Sequence, residues 1–396
     1  MNEEQYMIPG FKASTVAAGI KKDGKPDMAL ICSEIDAVTA GVFTTNQVKA
    51  APVVLSQEVV KKGRARAIVV NSGNANACTG REGLENARST AAMLAQELGV
   101  EPDEVLVAST GVIGAPLDME KIKLALPRLA GGLSPCGVFK VAEAIMTTDS
   151  FPKVSRWEGT ADGRTYQIIG LAKGAGMIMP DMATMLCFVL SDVRIDADRL
   201  RKALSPAVEK TFNRITVDGD MSTNDTVLVM ANGKAANGPL SDEDYGRFQE
   251  GITFVLDDLA TMIVRDGEGA TKVVRLTVTG AASQEDALTA ARNTANSSLV
   301  KTAFYGQDPN WGRIIAALGR SGIRMKEEAV SIWIEGVKIV EKGLGTGPAF
   351  EKEAAAKMTQ KEFTVTIDLS QGDFSDHYTT CDLTHEYITI NADYRT

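Results

Sequence analysis

Residues 173–190 read KGAGMIMPDMATMLCFVL. The first part of this stretch is punctuated by glycine and has the composition of a loop, whereas the part after Thr184 is an apolar run typical of a buried strand. A small residue, Ala183, thus precedes a hydroxyl residue at the start of a strand. That arrangement fits a self-cleaving threonine nucleophile, whose hydroxyl attacks the preceding carbonyl and whose freed α-amine then acts as the base. It also fits an ordinary turn that leads into a core strand with threonine as its first residue.

Histidine is scarce in this chain, which bears on the base that an enzyme of this sequence could use. His377 and His385 are the only two, and their spacing matches no zinc signature. The α-amine of an N-terminal threonine has a pKa of about 7.7–8.0 and needs no histidine to activate the hydroxyl. If the chain is an enzyme, we expect its base not to be histidine.

The composition excludes several classes of protein. The 396 residues carry a formal net charge of -9 and contain no run of Lys and Arg, which argues against a nucleic-acid partner. The acidic N-terminus does not resemble a signal peptide, and no apolar run reaches the roughly 18 residues that span a bilayer. The 5 cysteines are scattered, so neither a disulfide framework nor a zinc site is indicated. We expect a cytoplasmic protein without a membrane or nucleic-acid partner.

The apolar periodicity alternates between strand and helix along the chain and predicts an α/β protein. Strands are predicted at residues 67–70, 105–108, 185–193, 227–230, 273–278, 331–334 and 363–369. Helices are predicted at residues 85–98, 118–126, 197–212, 242–264 and 284–296. Pro127 is expected to end the second helix, and Pro206 to kink or break the third. The strand-rich C-terminal part predicts a second sheet.

Two glycine-rich stretches and one acidic stretch have compositions that could bind a cofactor or a metal. Neither glycine stretch, at residues 174–176 and 343–348, has the spacing of a phosphate loop. Residues 218–225, DGDMSTND, resemble the start of a calcium loop, but Val229 stands where the closing glutamate belongs. We therefore expect no cofactor and no metal, and interpret residues 218–225 as an Asx-rich turn close to the chemistry.

Several motifs together resemble the ornithine acetyltransferase family, which comprises bifunctional glutamate N-acetyltransferases and amino-acid acetyltransferases. The junction at residues 173–186 is similar to the processing site of that family. The other matching motifs extend over essentially the whole chain: NSGNANACTG at 71–80, STGVIG at 109–114, TTDS at 147–150, DGDMSTND at 218–225 and DPNWGR at 308–313.

The resemblance implies a fold in which two β systems are sandwiched by helices, of the self-processing type with an N-terminal threonine nucleophile. It also implies cleavage between Ala183 and Thr184 into an α chain, residues 1–183, and a β chain, residues 184–396. The two chains would stay associated as an α2β2 heterotetramer. Thr184 would then accept the acetyl group as an ester.

The resemblance also implies the remaining site residues. Thr110 and Gly111, which follow a predicted strand and begin a glycine turn, would stabilise the oxyanion. The substrate-binding residues would be Thr147, Lys173, Thr184, Glu268, Asn391 and Thr396. We interpret Lys173 as the partner of the substrate α-carboxylate and Glu268 as the partner of the ornithine ammonium group. Asn391 and Thr396 would supply neutral hydrogen bonds.

The implied activity is transfer of acetyl from N2-acetylornithine to glutamate, which yields ornithine and N-acetylglutamate in arginine biosynthesis. Whether acetyl-CoA serves as a second acetyl donor is left open. One rival interpretation is a self-processing aminopeptidase or amidase, in which water resolves the Thr184 ester. Another is a binding protein that keeps the fold and is never cleaved. Lys173 and Glu268 favour the transferase, because a charged pair of this kind suits a free amino acid.

Overall fold

A computed structural model describes residues 3–179 and 185–393. The described strands are β1 Phe11–Val16, β2 Met28–Phe43, β3 Arg64–Asn74, β4 Val105–Val112, β5 Lys153–Ala161, β6 Arg164–Lys173, β7 Leu186–Ser191, β8 Ile215–Thr216, β9 Thr226–Ala231, β10 Val273–Ala281, β11 Ser331–Ile334, β12 Val337–Glu341, β13 Leu344–Gly345, β14 Glu362–Asp368 and β15 Phe374–Cys381. The described helices are α1 Ala51–Val60, α2 Gly80–Leu98, α3 Met119–Gly131, α4 Val138–Ala144, α5 Ala197–Lys210, α6 Asp242–Arg265, α7 Gln284–Ala295, α8 Ser298–Tyr305, α9 Trp311–Gly319, α10 Pro348–Lys357 and α11 His385–Asp393. Among the residues described, every helix is too short or too polar to span a bilayer.

These elements fall into two units, each with its own mixed sheet. Of the described residues, the first unit contains 3–213 and 220–263, and the second contains 214–219 and 264–393. The sheet of the first unit has the order β4-β3-β2-β9-β7-β6-β5, with β1 paired to β2. The sheet of the second unit has the order β13-β12-β11-β14-β10-β15-β8. The predicted α/β class with two β systems and packed helices is confirmed.

Alternate side chains of the central strands of the first sheet enter two different cores. Ala29 and Ile31 of β2 contribute to a core shared with α4, whereas Met28 and Leu30 contribute to a core shared with α2 and α3. A strand that is buried on both faces has an almost continuous apolar sequence. This is why residues 67–70 and 105–108, in the neighbouring strands β3 and β4, are recognisable as strands from sequence alone.

The second sheet is covered by helix α7. The buried face of this helix consists mainly of alanines, which let the helix approach β10 and β15 closely. The alanines are Ala287, Ala290, Ala291 and Ala295, all fully buried. The C-terminal sheet predicted from the sequence is thereby confirmed.

Two prolines lie inside helices. The prediction that Pro127 ends a helix is wrong, because α3 continues to Gly131, and α5 likewise continues unbroken through Pro206. In both helices the proline and the residue four positions earlier, Lys123 or Lys202, are exposed. The carbonyl that loses its hydrogen bond to the proline position can therefore be solvated, and burial of the opposite face keeps the helix intact.

Candidate active site

Thr110 and Gly111 lie near the C-terminal end of β4, where the parallel strand β3 also ends. Thr110 is buried, and Gly111 has a φ of 130°, in the region that favours glycine. A Cβ on Gly111 would approach the carbonyl carbon of Gly73 to 2.3 Å. Both the backbone angle and the space therefore require glycine, and the predicted oxyanion turn is closely packed against β3.

Lys173 is the last residue of β6 and is 3% exposed. Its Nζ donates to Thr110 Oγ1 across 3.4 Å and lies 3.9 Å from Asp149 Oδ2. The structure therefore brings a predicted carboxylate-binding lysine to a predicted oxyanion residue.

Asp149 joins the predicted substrate-binding residues of the first unit. It accepts hydrogen bonds from the Lys153 ammonium group (2.7 Å), the Gly174 N–H (2.6 Å) and the Thr147 N–H (3.0 Å). The carboxylate thus orders Thr147, Lys173 and the start of the glycine-rich junction together. Sequence reasoning missed this role, although the residue lies in the TTDS motif at 147–150.

The charges around Asp149 favour an anionic ligand. Burial alone would raise the pKa of this carboxyl, but Lys173, Lys153 and the hydrogen bonds outweigh burial and hold its pKa at about 2. Asp149 is therefore ionised at neutral pH. Two ammonium groups, those of Lys153 and Lys173, face this single carboxylate, so these three groups together carry a net positive charge.

Both ends of the predicted processing junction are anchored in the sheet of the first unit. Lys173 pairs with Leu186 in the antiparallel register of β6 and β7. The Met185 N–H donates to Asp225 Oδ1 (2.9 Å), and the Met185 carbonyl accepts from the Thr226 N–H (3.1 Å). Ala183 and Thr184 themselves lie outside the described residues.

Asp225 is a second buried carboxyl that sequence reasoning gave no role. It is 0% exposed, and its Oδ2 has no hydrogen-bond partner within the described parts of the chain. Burial raises the pKa of Asp225 well above its usual range, and the Met185 N–H and the Lys173 charge do not offset that effect. The only sequence signal for this residue is its place in the 218–225 motif.

Glu268 and Asn391 belong to the second unit and contact each other. Asn391 Nδ2, on α11, donates to Glu268 Oε2 across 2.8 Å. The Thr384 hydroxyl also donates to the Gly269 carbonyl (2.8 Å), so the residues before α11 are tied to the same turn. Asn391 is therefore placed to orient the Glu268 carboxylate. The remaining predicted substrate-binding residue, Thr396, lies outside the described residues.

The two histidines have structural partners. His385 packs edge-on against the ring of Tyr305, with centroids 5.9 Å apart, and His377 Nδ1 lies 3.8 Å from Asp376 Oδ1. Within residues 3–179 and 185–393, no group of three or more His, Cys, Asp or Glu side chains is arranged to hold a metal ion.

Comparison with known proteins gives consistent matches. The sequence model of the ArgJ family matches residues 12–396. The chain is 51% identical over 391 residues to the arginine biosynthesis bifunctional protein ArgJ of Geobacter sulfurreducens, covering 98% of this chain and 100% of that protein. It is 52% identical over 392 residues to the protein of the same name from Syntrophotalea carbinolica, covering 98% and 99%. The crystal structure of ArgJ from Bacillus halodurans is 44% identical, with a TM-score of 0.50, over 52% of this chain and 98% of that chain. The resemblance inferred from the motifs is confirmed, and the chain belongs to the ArgJ family.

Proposed function

We propose that this chain transfers the acetyl group of N2-acetylornithine to glutamate, giving ornithine and N-acetylglutamate in arginine biosynthesis. The observation that carries the proposal is the contact of Lys173 with both Thr110 and Asp149. This contact gathers the predicted oxyanion-stabilising and carboxylate-binding groups around one buried carboxylate. The name of the relatives, arginine biosynthesis bifunctional protein, supports the same pathway and favours acetyl-CoA as a second acetyl donor to glutamate.

The first step of the proposal is self-cleavage between Ala183 and Thr184. The Thr184 hydroxyl attacks the Ala183 carbonyl, the acyl group shifts from nitrogen to oxygen, and water releases an α chain (1–183) and a β chain (184–396). The pairing of β6 with β7 supports lasting association of the two chains, because these strands belong to different products and share one sheet. The match to the Bacillus halodurans chain also supports cleavage, since nearly all of that chain corresponds to about half of this one.

In the proposed acyl transfer, the Thr184 hydroxyl attacks the acetyl carbonyl while the Thr184 α-amine takes its proton. The Thr110 hydroxyl and the Gly111 N–H stabilise the oxyanion, and Lys173 pairs with the substrate α-carboxylate. The α-amine of ornithine leaves with the proton. The α-amine of glutamate then attacks the acetyl ester and restores Thr184.

Amine transfer rather than hydrolysis is favoured by two observations. Family membership over residues 12–396 supports the transferase over the aminopeptidase or amidase. The burial of Thr110 and Lys173 supports exclusion of water, which an ester intermediate requires if the amine is to resolve it. The proposal includes association as an α2β2 heterotetramer in the cytoplasm.

Intact mass spectrometry of the purified protein, before and after brief incubation with N2-acetylornithine, tests the proposal. We expect two chains divided between Ala183 and Thr184, one acetyl group on the chain that begins at Thr184, and loss of that group when glutamate is added. Thr184→Ser, which keeps a hydroxyl, should still cleave, whereas Thr184→Ala should do neither step.

Two outcomes would contradict the proposal. An uncleaved chain that gains no acetyl group would favour the binding-protein interpretation. Acetyl loss at the same rate with and without glutamate would show that water resolves the ester, as in an amidase.

A further inference from the structure

The side chain of Asn224 holds the strand that carries the predicted oxyanion residues. Its Nδ2 donates to the carbonyl of Ser109 (2.8 Å) and to the carbonyl of Ala75 (2.7 Å), and the residue is 6% exposed. The Ser109 carbonyl and the Thr110 N–H belong to one planar peptide group. The hydrogen bond from Asn224 therefore fixes the plane from which the Thr110 side chain departs.

A second set of buried hydrogen bonds holds the same turn. The Ser109 hydroxyl donates to Asn71 Oδ1 (2.6 Å), and Asn71 Nδ2 donates to the Asn74 carbonyl (2.8 Å). Asn74 lies in the segment of β3 against which Gly111 is packed. These polar groups are buried and hydrogen-bonded to one another, so a shift of the turn that broke their hydrogen bonds would leave buried groups unsatisfied.

The next residue, Asp225, holds the start of β7. Its Oδ1 accepts from the Met185 N–H, and the following residue, Thr226, donates its N–H to the Met185 carbonyl. Both main-chain polar groups of Met185 are therefore bound by one dipeptide. The segment is itself fixed, since its carbonyls at Thr223 and Asp225 accept from the N–H groups of Ala50 and Thr44.

Two adjacent side chains thus contact β4 and the start of β7, although β3, β2 and β9 lie between those strands in the sheet. We propose that Asn224 and Asp225 are positioning residues, which together fix the oxyanion turn relative to Met185, the residue that precedes β7. This inference rests on the proposed function, because β4 then carries the oxyanion-stabilising groups and β7 follows the cleavage point. It gives a role to Asn224 and Asp225, the last two residues of the 218–225 motif, which take no part in the proposed reaction steps.

The role of Asn224 is tested with Asn224→Asp. This change keeps the shape of the side chain but puts an oxygen, which the carbonyls of Ala75 and Ser109 repel, in place of the amide nitrogen that donates to them. The matched control is Asn237→Asp, because Asn237 is 1% exposed and likewise donates to two carbonyls, of Arg194 and Gly238. We expect Asn224→Asp to lower kcat about tenfold to a hundredfold with KM nearly unchanged, as misplacement of a reacting group does. Asn237→Asp should lower the melting temperature and leave kcat of the folded enzyme near that of the wild type.

The role of Asp225 is tested by the extent of self-cleavage, measured by intact mass spectrometry after expression. Asp225→Ala should leave uncleaved chain, whereas Asp225→Asn, which keeps an oxygen that can accept from Met185, should restore cleavage. The control is Asp192→Ala, since Asp192 follows the other end of β7, is 3% exposed and accepts from the Gln167 N–H (2.7 Å). That variant should cleave as the wild type does.

The outcomes separate this inference from the proposed function. A wild type that neither cleaves nor transfers acetyl would overturn both. If the wild type is active, equal losses of kcat in Asn224→Asp and Asn237→Asp, or equally slow cleavage in Asp225→Asn and Asp225→Ala, would overturn the positioning role alone.

Discussion

The Nζ of Lys153 lies 2.7 Å from Oδ1 of Asp149, and neither side chain is exposed to solvent. Lys153 also donates to the carbonyl of Phe151, so the ammonium group is held within one short segment of chain. Breaking such a pair is costly, because the partner left behind keeps an uncompensated charge. The ion pair with Lys153 thus holds in place the carboxylate that accepts hydrogen bonds from the main-chain N–H groups of Thr147 and Gly174. The Lys173 ammonium group lies 3.9 Å from the same carboxylate.

Asp149→Asn is therefore expected to weaken both the fold and substrate binding. Loss of the charge removes the buried ionic partner of the Lys153 ammonium group, and breaking a buried ion pair costs about 3–5 kcal/mol. Lys173 and the Thr147 N–H lose part of their shared acceptor, so KM for N2-acetylornithine should rise. Urea unfolding measures the first effect and steady-state kinetics the second.

The double variant Asp149→Asn with Lys153→Met separates the two effects. It removes the Lys153 ammonium group, which lost its carboxylate partner, and keeps the Lys173 ammonium group. We expect much of the stability to return while KM stays high. Full recovery of KM would mean that Asp149 acts through charge balance with Lys153 and not through Lys173 and Thr147.

Acid should remove the contribution of Asp149 to stability. The pKa of this carboxyl is about 2 in the folded chain against an ordinary value of 3.8, so its contribution is complete above about pH 4 and is lost as the pH falls towards 2. Melting temperatures of the wild type and Asp149→Asn should therefore converge below about pH 4. A difference that stays constant down to pH 2 would show that the ionised carboxylate is not the source.

The sequence correctly predicts those strands and helices whose apolar pattern matches the burial of their side chains in the structure. The strand predicted at residues 331–334 is observed as Ser331–Ile334, and Ser283 caps α7 by accepting the Asp286 N–H. The hairpin of β5 and β6 was not predicted, since the burial of β5 alternates and polar residues interrupt it. A signal for its turn is nevertheless present, because Asp162-Gly163 joins the strands and both residues have positive φ.

The contacts of the site depend on tertiary structure and could not be predicted from local pattern. Asp149 meets Lys173 only because β6 returns beside the segment that precedes β5, and an aspartate in a polar stretch is otherwise typical of a solvated loop. Asn224 reaches Ser109 across more than a hundred residues of sequence. In both cases the motif could be noticed in the sequence, whereas the partner could not be identified.

Gly111→Ala should abolish self-cleavage and destabilise the first unit. The added Cβ would meet main-chain atoms of Gly73 and Asn74, at 2.3 Å and 2.5 Å, and main chain cannot move aside as a side chain can. Gly114→Ala is the matched control, since Gly114 also has positive φ but a Cβ there would meet no atom of the described residues within 4 Å. The control should lose about 1–2 kcal/mol from the backbone angle alone and still cleave. Equal losses of cleavage and stability in both variants would show that glycine is required at position 111 for its backbone angle and not for the space around its Cα.

Lys173→Met should raise KM for N2-acetylornithine without preventing folding. The substitution removes the charge expected to pair with the α-carboxylate, and hydrogen bonds to charged groups contribute about 1.5–3 kcal/mol. Lys301→Met is the control, because Lys301 is also buried but donates to Thr380 Oγ1 and the Cys381 carbonyl in the second unit. We expect the control to lower stability and leave KM unchanged. An unchanged KM in Lys173→Met would remove Lys173 as the carboxylate partner.

Glu268→Gln should remove the preference for a substrate with a second amine. Glu268 is only 9% exposed, and Asn391 donates to its Oε2, so the carboxylate is held in a fixed position. If this carboxylate binds the side-chain ammonium group of ornithine, its loss should lower kcat/KM for N2-acetylornithine about tenfold to a hundredfold, the cost of a charged hydrogen bond. The same constant for N2-acetylnorvaline, which has the same carbon chain without the amine, should hardly change.

Asn391→Ala distinguishes the charge of Glu268 from its orientation. This variant keeps the carboxylate and removes the hydrogen bond that orders it. Because an unrestrained carboxylate still attracts an ammonium group but must be ordered on binding, the preference for N2-acetylornithine over N2-acetylnorvaline should fall by less than in Glu268→Gln. Kinetics with both substrates for both variants provide the measurement. A preference that survives in Glu268→Gln would assign recognition of the ammonium group to another residue.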